Sequence, residues 1–490
     1  MTEPNVQSNL AVSPRQVGGF AAVGFLAFSE VTSGMLQGWY IPLLPQIGQR
    51  LDVNPAQLNW VLAAYLLSTV ICVPILAKLG DKYGHRRLVL IVLGTVTVGT
   101  ILTAVAPSFG IFLLGRSIQG TLGALLPLEL AILRERAGAS SGRAIGILVG
   151  CLGAGGAAGT LLVGILGTHA NLTVALLVPA TLTLASLVTI AMFVPETTTR
   201  ATGSIDWTGA ALLGTGLAVF LVGISNGSKL GWTSTTTLTA IGGGLALLVA
   251  FVVMEKRISS PLVDLNLLTK GGVGFLLGLT GLFGLQFYGA ATVSTLYFAS
   301  KPDIVGYGFG LDSMGIALAI TPVPLALMVS SSLADSLAQR LGTRTVLQIS
   351  ALLISIWFGG LIVFRHSLTG FISMGVIGGA GIGIFVALLP ALVISRARPE
   401  DSGIAGALYN TSRTVAGATA GAMCAAIMSG MVMSGSKTPS ETAFITIWSA
   451  CIGVGVLIFV LVPFLNKLGG KAYQAELPEQ LIDLPVRESS

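Results

Sequence analysis

The sequence predicts an all-α polytopic membrane protein: two six-helix bundles joined by a central two-helix insert, fourteen transmembrane helices in all. Three observations predict it. Charged residues are 9% of the 490-residue chain and apolar ones 53%, with a mean hydropathy of +0.87, whereas soluble domains carry about 25% charge. The apolar residues fall in runs of about twenty, long enough for a helix to cross a hydrocarbon core of about 30 Å. Lipid leaves no other partner for the backbone of such runs, and the short alternating segments of a membrane barrel are absent. Finally, a charged segment recurs: "LGDKYGHRRLVL", 79–90, aligns with "LAQRLGTRTVLQ", 337–348, placing Gly84 on Gly342 and Arg86 on Arg344 at a constant offset of 258.

The runs lie near 17–43, 58–79, 88–106, 109–133, 144–166 and 172–194, then 207–226 and 235–254, then 273–298, 312–333, 345–364, 370–394, 404–430 and 443–465. Two directly joined six-span halves would repeat at roughly 200 residues. The excess matches the hairpin 207–254, which makes that hairpin the insert. The expected units are residues 1–200, the first bundle; 201–256, the insert; 257–466, the second bundle; and 467–490, a polar tail with Pro478 and Pro485.

Lys and Arg orient the spans. With the N-terminus inside, cytoplasmic segments hold 19 of the 26, and outer loops hold Arg50, Lys229, Lys301, Arg365 and Lys437. That asymmetry follows the positive-inside rule and puts both termini in the cytoplasm. The net charge of +6 suits loops facing anionic lipid rather than nucleic acid. Cys72, Cys151, Cys424 and Cys451 are scattered through apolar runs, so no metal site, disulfide framework or cofactor is expected. No cleaved signal is read at the N-terminus.

Four charges fall inside spans. Glu30 is about thirteen residues, or roughly 20 Å, into span 1, near the midplane, where an acid costs about 2.5–3.5 kcal/mol. It therefore needs an aqueous cavity, a partner or a proton. Arg116 in span 4 is the partner expected for it, either in a working site or as a structural pair fixing helix packing. Glu129, nearer the cytoplasmic end of span 4, serves transport or pairs at the surface with Arg134 or Arg86. Arg413 in span 13 is open to a structural, gating or substrate role. Small-xxx-small spacings, Gly146 with Gly150 and Gly155 with Gly159, permit close helix approach. Pro322 and Pro324 should kink span 10.

Several motifs then become recognisable. The 79–90 loop resembles the signature between spans 2 and 3 of the major facilitator superfamily, and "GRSIQGTLGALLP", 115–127, resembles its span-4 signature. "DWTGAALLG" and "GWTS" around the seventh span, "EKRISSPLVDLNLL" after the eighth and "LYNTSRTVAGATAG", 408–421, are similar to the fourteen-span drug:H⁺ antiporter family. The resemblance implies a major facilitator fold. Its implied function is secondary active transport at the cell membrane by alternating access, with proton-coupled export of amphipathic small molecules. The partners are then a small-molecule substrate, the proton and the lipid bilayer, and the protein is monomeric and not an enzyme. Two positions depart from the family. Gly156 stands where Pro is usual in the span-5 signature "GGAAGT", and Leu36 stands where span 1 usually has Asp.

The resemblance implies that Arg116 takes part in proton coupling, here together with Glu30 and Glu129. It also implies that Asp81, Gly84, Arg86 and Arg87 form a latch against the other half when the outer side is open. The alternative for the latch residues is topology alone, which explains the arginines but not Asp81 among them. The loop itself reads as a β-turn-like connection, with His85 solvated. Gln37, Tyr40, Tyr65, Gln119, Gln286, Tyr288, Asn410 and Arg413 are the candidate cavity residues.

Two other readings remain. A facilitator or symporter for a metabolite or lipid is kept open by the missing span-5 Pro. A membrane enzyme has little support. "GISNG", 223–227, fits Gly-x-Ser-x-Gly without the strand-to-helix setting that motif needs. His85, His169 and His366 all lie in loops.

Overall fold

The computed structural model describes residues 19–137, 141–197, 206–258, 272–396, 402–433, 436 and 438–465. Long helices run in order: α1 (Gly19–Trp39), α2 (Pro55–Tyr83), α3 (His85–Val105), α4 (Phe109–Leu133), α5 (Ser141–His169), α6 (Leu172–Phe193), α7 (Trp207–Leu230) and α8 (Thr235–Glu255). There follow α9 (Val273–Ala299), α10 (Ser313–Leu341), α11 (Thr343–Val363), α12 (Leu368–Ser395), α13 (Ser402–Gly430) and α14 (Glu441–Leu461). Among the described residues, twelve of these are long and apolar enough to cross a membrane. The exceptions, α1 and α13, carry polar groups at mid-length: Ser29, Glu30, Thr32 and Ser33 in one, and Asn410, Thr411, Ser412 and Arg413 in the other.

Local chemistry sets the helix limits. Asn54 caps α2 through a reciprocal pair with Gln57, at 2.9 and 3.0 Å. Short helices at Leu44–Leu51 and Pro302–Val305 occupy one end of the bundle. The expected kink in span 10 is a break at Thr321, between helical pieces Ser313–Ile320 and Pro322–Leu341. Helices α2 and α3 meet at one residue, Gly84, with φ 112, and its repeat partner Gly342 joins α10 to α11 with φ 83. No β-turn lies there. Each connection needs a positive φ, which Gly alone adopts without strain.

Helix α1 lies on α5 with the two backbones touching. A Cβ at Gly34 would collide with the Leu152 carbonyl, one at Gly155 with that of Val31, and one at Gly159 with that of Met35. Gly150 faces open space instead. Gly156 has ordinary room around it, with 3.7 Å to the Gly34 carbonyl.

The two halves meet mainly toward the end that carries residues 40–55. There Gln46 donates to Ser313 Oγ at 2.9 Å, and Ser313 donates to the Pro42 carbonyl at 3.1 Å. Helix α2 packs along α13 through Asn59 with Met428, Ala63 with Gly421 and Leu66 with Gly417. A cavity of about 350 Å³ lies at this end, between residues 45–58 and Tyr307, Pro439 and Phe444. Among the described residues α4 packs against no helix of the second half.

Helix α7 seats Leu213 and Leu217 beside Val70 of α2, with Val415 of α13 packed against the same cluster. Helix α8 packs chiefly on α7, with its Phe251 in the same cluster. Ser225, the serine of "GISNG", accepts the Trp60 indole N–H at 2.9 Å. That contact ties the insert to α2, where Trp60 would otherwise be read as an anchor at the lipid interface.

Candidate functional site

Helix α4 changes winding midway. Phe109–Gln119 is α-helical, Gly120–Ala124 is 3₁₀, and α-helix resumes at Leu125. The 3₁₀ stretch lies flat on α2. Thr69 donates to the Gly120 carbonyl at 3.0 Å, and a Cβ at Gly120 or Gly123 would strike Ser68 or Thr69. Arg116 stands before this stretch and Glu129 after it.

Arg116 is 4% exposed and is held by two hydrogen bonds and two aromatic rings. Its Nε donates to the Val61 carbonyl at 3.0 Å and its Nη1 donates to Gln119 Oε1. Its guanidinium stacks 4.0 Å from the Tyr40 ring centroid and 4.9 Å from that of Tyr65. Gln119 Nε2 donates onward to the Tyr40 hydroxyl at 2.6 Å and to Thr100 at 3.1 Å. This network lies inside the first bundle. Tyr40 and Gln119, expected to line a cavity, are 2% and 0% exposed and hold α1, α3 and α4 together instead.

Glu30 does not pair with Arg116. The structure brings it to Glu129, carboxyl against carboxyl, with the Ser29 side chain beside Glu129. Both acids are 0% exposed, and among the described residues no donor completes a hydrogen bond to any of the four carboxyl oxygens. Glu129 is thus sealed inside rather than paired at the surface, and the Arg134 side chain lies outside the described residues. Two ionised carboxylates in contact at a buried site would repel strongly and lose their solvation. One proton held between them removes the repulsion and makes a strong charge-assisted hydrogen bond.

The remaining candidate cavity residues divide. Gln286 is 1% exposed and donates to the Cys451 carbonyl of α14 at 2.8 Å, so it packs inside the second bundle. Gln37 is exposed and reaches Ser33 at 3.4 Å. Tyr65, Tyr288, Asn410 and Arg413 gather where α2, α9 and α13 meet. Tyr65 lies within electrostatic reach of Arg116, Tyr288 and Glu30, so one phenol borders both the first bundle's charges and the second bundle's aromatic group.

At the opposite end, the charged loop bonds within its own half. Asp81 Oδ1 lies 3.0 Å from His85 Nε2, and His85 Nδ1 lies 3.2 Å from Thr197 Oγ1. The backbone N–H groups of Arg86 and Arg87 donate to the two oxygens of Glu196 at 3.0 and 3.1 Å, and Arg86 Nη2 donates to the Ala191 carbonyl. His85 is 8% exposed, buried rather than solvated, because Asp81 and Thr197 enclose its ring. Sequence reading missed Glu196 and Thr197. The available signal was an acid placed just after span 6 on the same side as a basic loop. A carboxylate across the first N–H groups of α3 also complements its helix dipole.

Comparison with known proteins agrees with this architecture. The chain is 28% identical over 429 residues to the cephamycin export protein CmcT of Amycolatopsis lactamdurans, covering 85% of each chain. It is 25% identical to a tetracenomycin C resistance and export protein of Streptomyces glaucescens, covering 79% of this chain and 72% of that one. Among solved structures, a peptide transporter POT bound to sulfate superposes with a TM-score of 0.67 at 16% identity, over 92% of this chain and 96% of that one. At that identity the likeness speaks for the fold alone. The sequence profile of the Major Facilitator Superfamily matches residues 26–421, a stretch that takes in the acid pair, the Gly84 and Gly342 connections and Arg413, and the chain belongs to that superfamily.

Proposed function

We propose that the protein exports amphipathic small molecules across the cell membrane in exchange for protons, by alternating access. The named functions of its relatives supply the export reading. The observation that carries proton coupling is the Glu30–Glu129 pair, sealed and with no Lys, Arg or His paired to it among the described residues. A site that must hold a proton to be stable, and that lies between two helices, releases it when those helices part. In this reading α1 and α13 also span the membrane, which gives fourteen spans with both termini cytoplasmic, and α7–α8 is peripheral to the path. The end closed by Gln46, Ser313 and Asn59 is the outer one, so the structure is the inward-facing member of the cycle. The latch formed by Asp81, Arg86 and Arg87 is then disengaged from the second half.

The test is accumulation of a fluorescent cationic or anionic dye in proteoliposomes under an imposed pH gradient, comparing the parent with Glu30→Gln. The parent should accumulate dye and the variant should only equilibrate it. Equal accumulation by both would place coupling elsewhere. Gradient-independent equilibration by the parent would favour the facilitator reading, which the ordinary spacing around Gly156 leaves open.

A further inference from the structure

The second half holds a cation whose bonding is incomplete. Arg413 lies about 17 Å along α13 from its first residue, at 1.5 Å per residue. Its guanidinium carbon is 5.6 Å from the ring centroid of Tyr409, 5.8 Å from Phe287 and 5.9 Å from Tyr288. Its one side-chain hydrogen bond is a long one, 3.4 Å to Asn410 Oδ1, and its Nε has no partner. Among the described residues no carboxylate lies within ion-pair distance of it. The Tyr409 hydroxyl lies beside the Arg413 side chain without completing a hydrogen bond to it.

The contrast with Arg116 decides what this means. Both cations stack on aromatic rings, but Arg116 makes two good hydrogen bonds, to Val61 and Gln119, and is closed off inside the first bundle. Arg413, Asn410 and Tyr288 each keep partial exposure, and they face the seam between the halves, where Tyr65 stands opposite. The cluster is also held in place. Gly284 brings the α9 backbone onto that of Arg413, and the Tyr288 ring fills the space over Gly417. A fixed guanidinium with free donors matches a carboxylate, which it can bind through two parallel hydrogen bonds. Three surrounding rings match a flat apolar body.

We propose that Arg413, with Phe287, Tyr288 and Tyr409, anchors the substrate, and that the substrate class is amphipathic aromatic compounds bearing a carboxylate. This rests on the transport reading and adds to it the charge of the cargo. The Glu30–Glu129 pair handles the proton on the other half, so cargo and proton occupy separate sites that share Tyr65 as a neighbour.

Three fluorescent probes on one scaffold test it: pyrenebutyrate, its methyl ester, and a pyrenebutyl trimethylammonium. Binding is measured at equilibrium to the full-length protein in lipid nanodiscs, without a gradient. The acid should bind at least about tenfold more tightly than the ester, as expected for hydrogen bonds to a charged group, with the ammonium weakest. Arg413→Gln should bring acid and ester together, and Arg413→Lys should restore part of the difference. An ester or ammonium that binds the parent as well as the acid overturns the proposal, as does binding of none of the three. These readings need no variant to fold. Acid preference retained in Arg413→Gln also overturns it. Because no gradient is used, anion preference without pH-driven accumulation would sink the exporter and keep the subsite, and accumulation without preference would do the reverse.

Discussion

In the first half, α1 and α4 press two carboxyl groups together at zero exposure with no base paired to them among the described residues, and the nearby Arg116 bonds to Val61 and Gln119 instead. In the second half, α13 holds Arg413 among three aromatic rings with no acid beside it, and the ion pair found there, Arg365 with Glu441 at 3.1 Å, lies apart from it near the Tyr307 end. Tyr307 itself, in the loop before α10, donates to the Pro439 carbonyl at 2.6 Å, and burial pushes its phenol up to about 12. The halves repeat in backbone, as Gly84 and Gly342 show, but not in chemistry. In the proposed cycle the repeat supplies two bodies that rock, and the asymmetry gives each body a different task.

The largest expected effect comes from the acids. Glu129→Gln should abolish pH-driven accumulation as completely as Glu30→Gln, because either change leaves a pair with one titrating member and no like-charge contact to break. Proteoliposome uptake under a pH gradient checks this. Normal accumulation by one variant and none by the other would show that the pair does not act as a unit.

Next comes Arg116→Gln. If Arg116 is structural, the loss is stability, about 1–3 kcal/mol for the stranded Val61 and Gln119 groups, seen as a lowered thermal midpoint in detergent. A variant of unchanged midpoint that has lost coupling would move Arg116 into the proton path.

A smaller effect is expected at the loop. Asp81→Asn removes the half-exposed carboxylate proposed to latch onto the second half when the outer side is open, and an exposed ion pair is worth up to about 1 kcal/mol. That shifts the inward–outward equilibrium by about fivefold, measurable as cysteine labelling at either end. Unchanged labelling would argue for topology as the loop's only task.

Smallest in its effect on transport is Gly214→Leu on the insert. The new side chain meets the end of Ile71, 2.8 Å from a Cβ at that position, and costs about 1–3 kcal/mol of packing. Transport by the inserted protein should persist. Loss of transport with normal insertion would bring α7 into the path.

Much of this could be read before the structure, and the rest fails for one physical reason. Run lengths located every long helix, and the repeat offset located the hairpin between the halves. Depth along a span was readable too, since Glu30 was placed deep in span 1. Direction around a span was not. Spans that are apolar on all sides show no single buried face, so Glu30 could be placed at a depth but not turned toward Arg116 or Glu129. The same blindness set Gln286 and Gln119 in a cavity when they pack inside bundles. His85 was misplaced because Thr197, which encloses it, is more than a hundred residues away in sequence.

The five residues Gly120–Ala124 have a mechanical consequence. Wound as 3₁₀ they advance about 2.0 Å and 120° each, whereas α-helix advances about 1.5 Å and 100°. Rewinding this stretch would draw the two ends of α4 together by about 2.5 Å and turn one against the other by about 100°. With α1 clamped backbone to backbone on α5, Glu30 has nowhere to follow. Such a rewinding, about 100° of rotation, would carry Glu129 off its neighbour's face while leaving Arg116 in its seat.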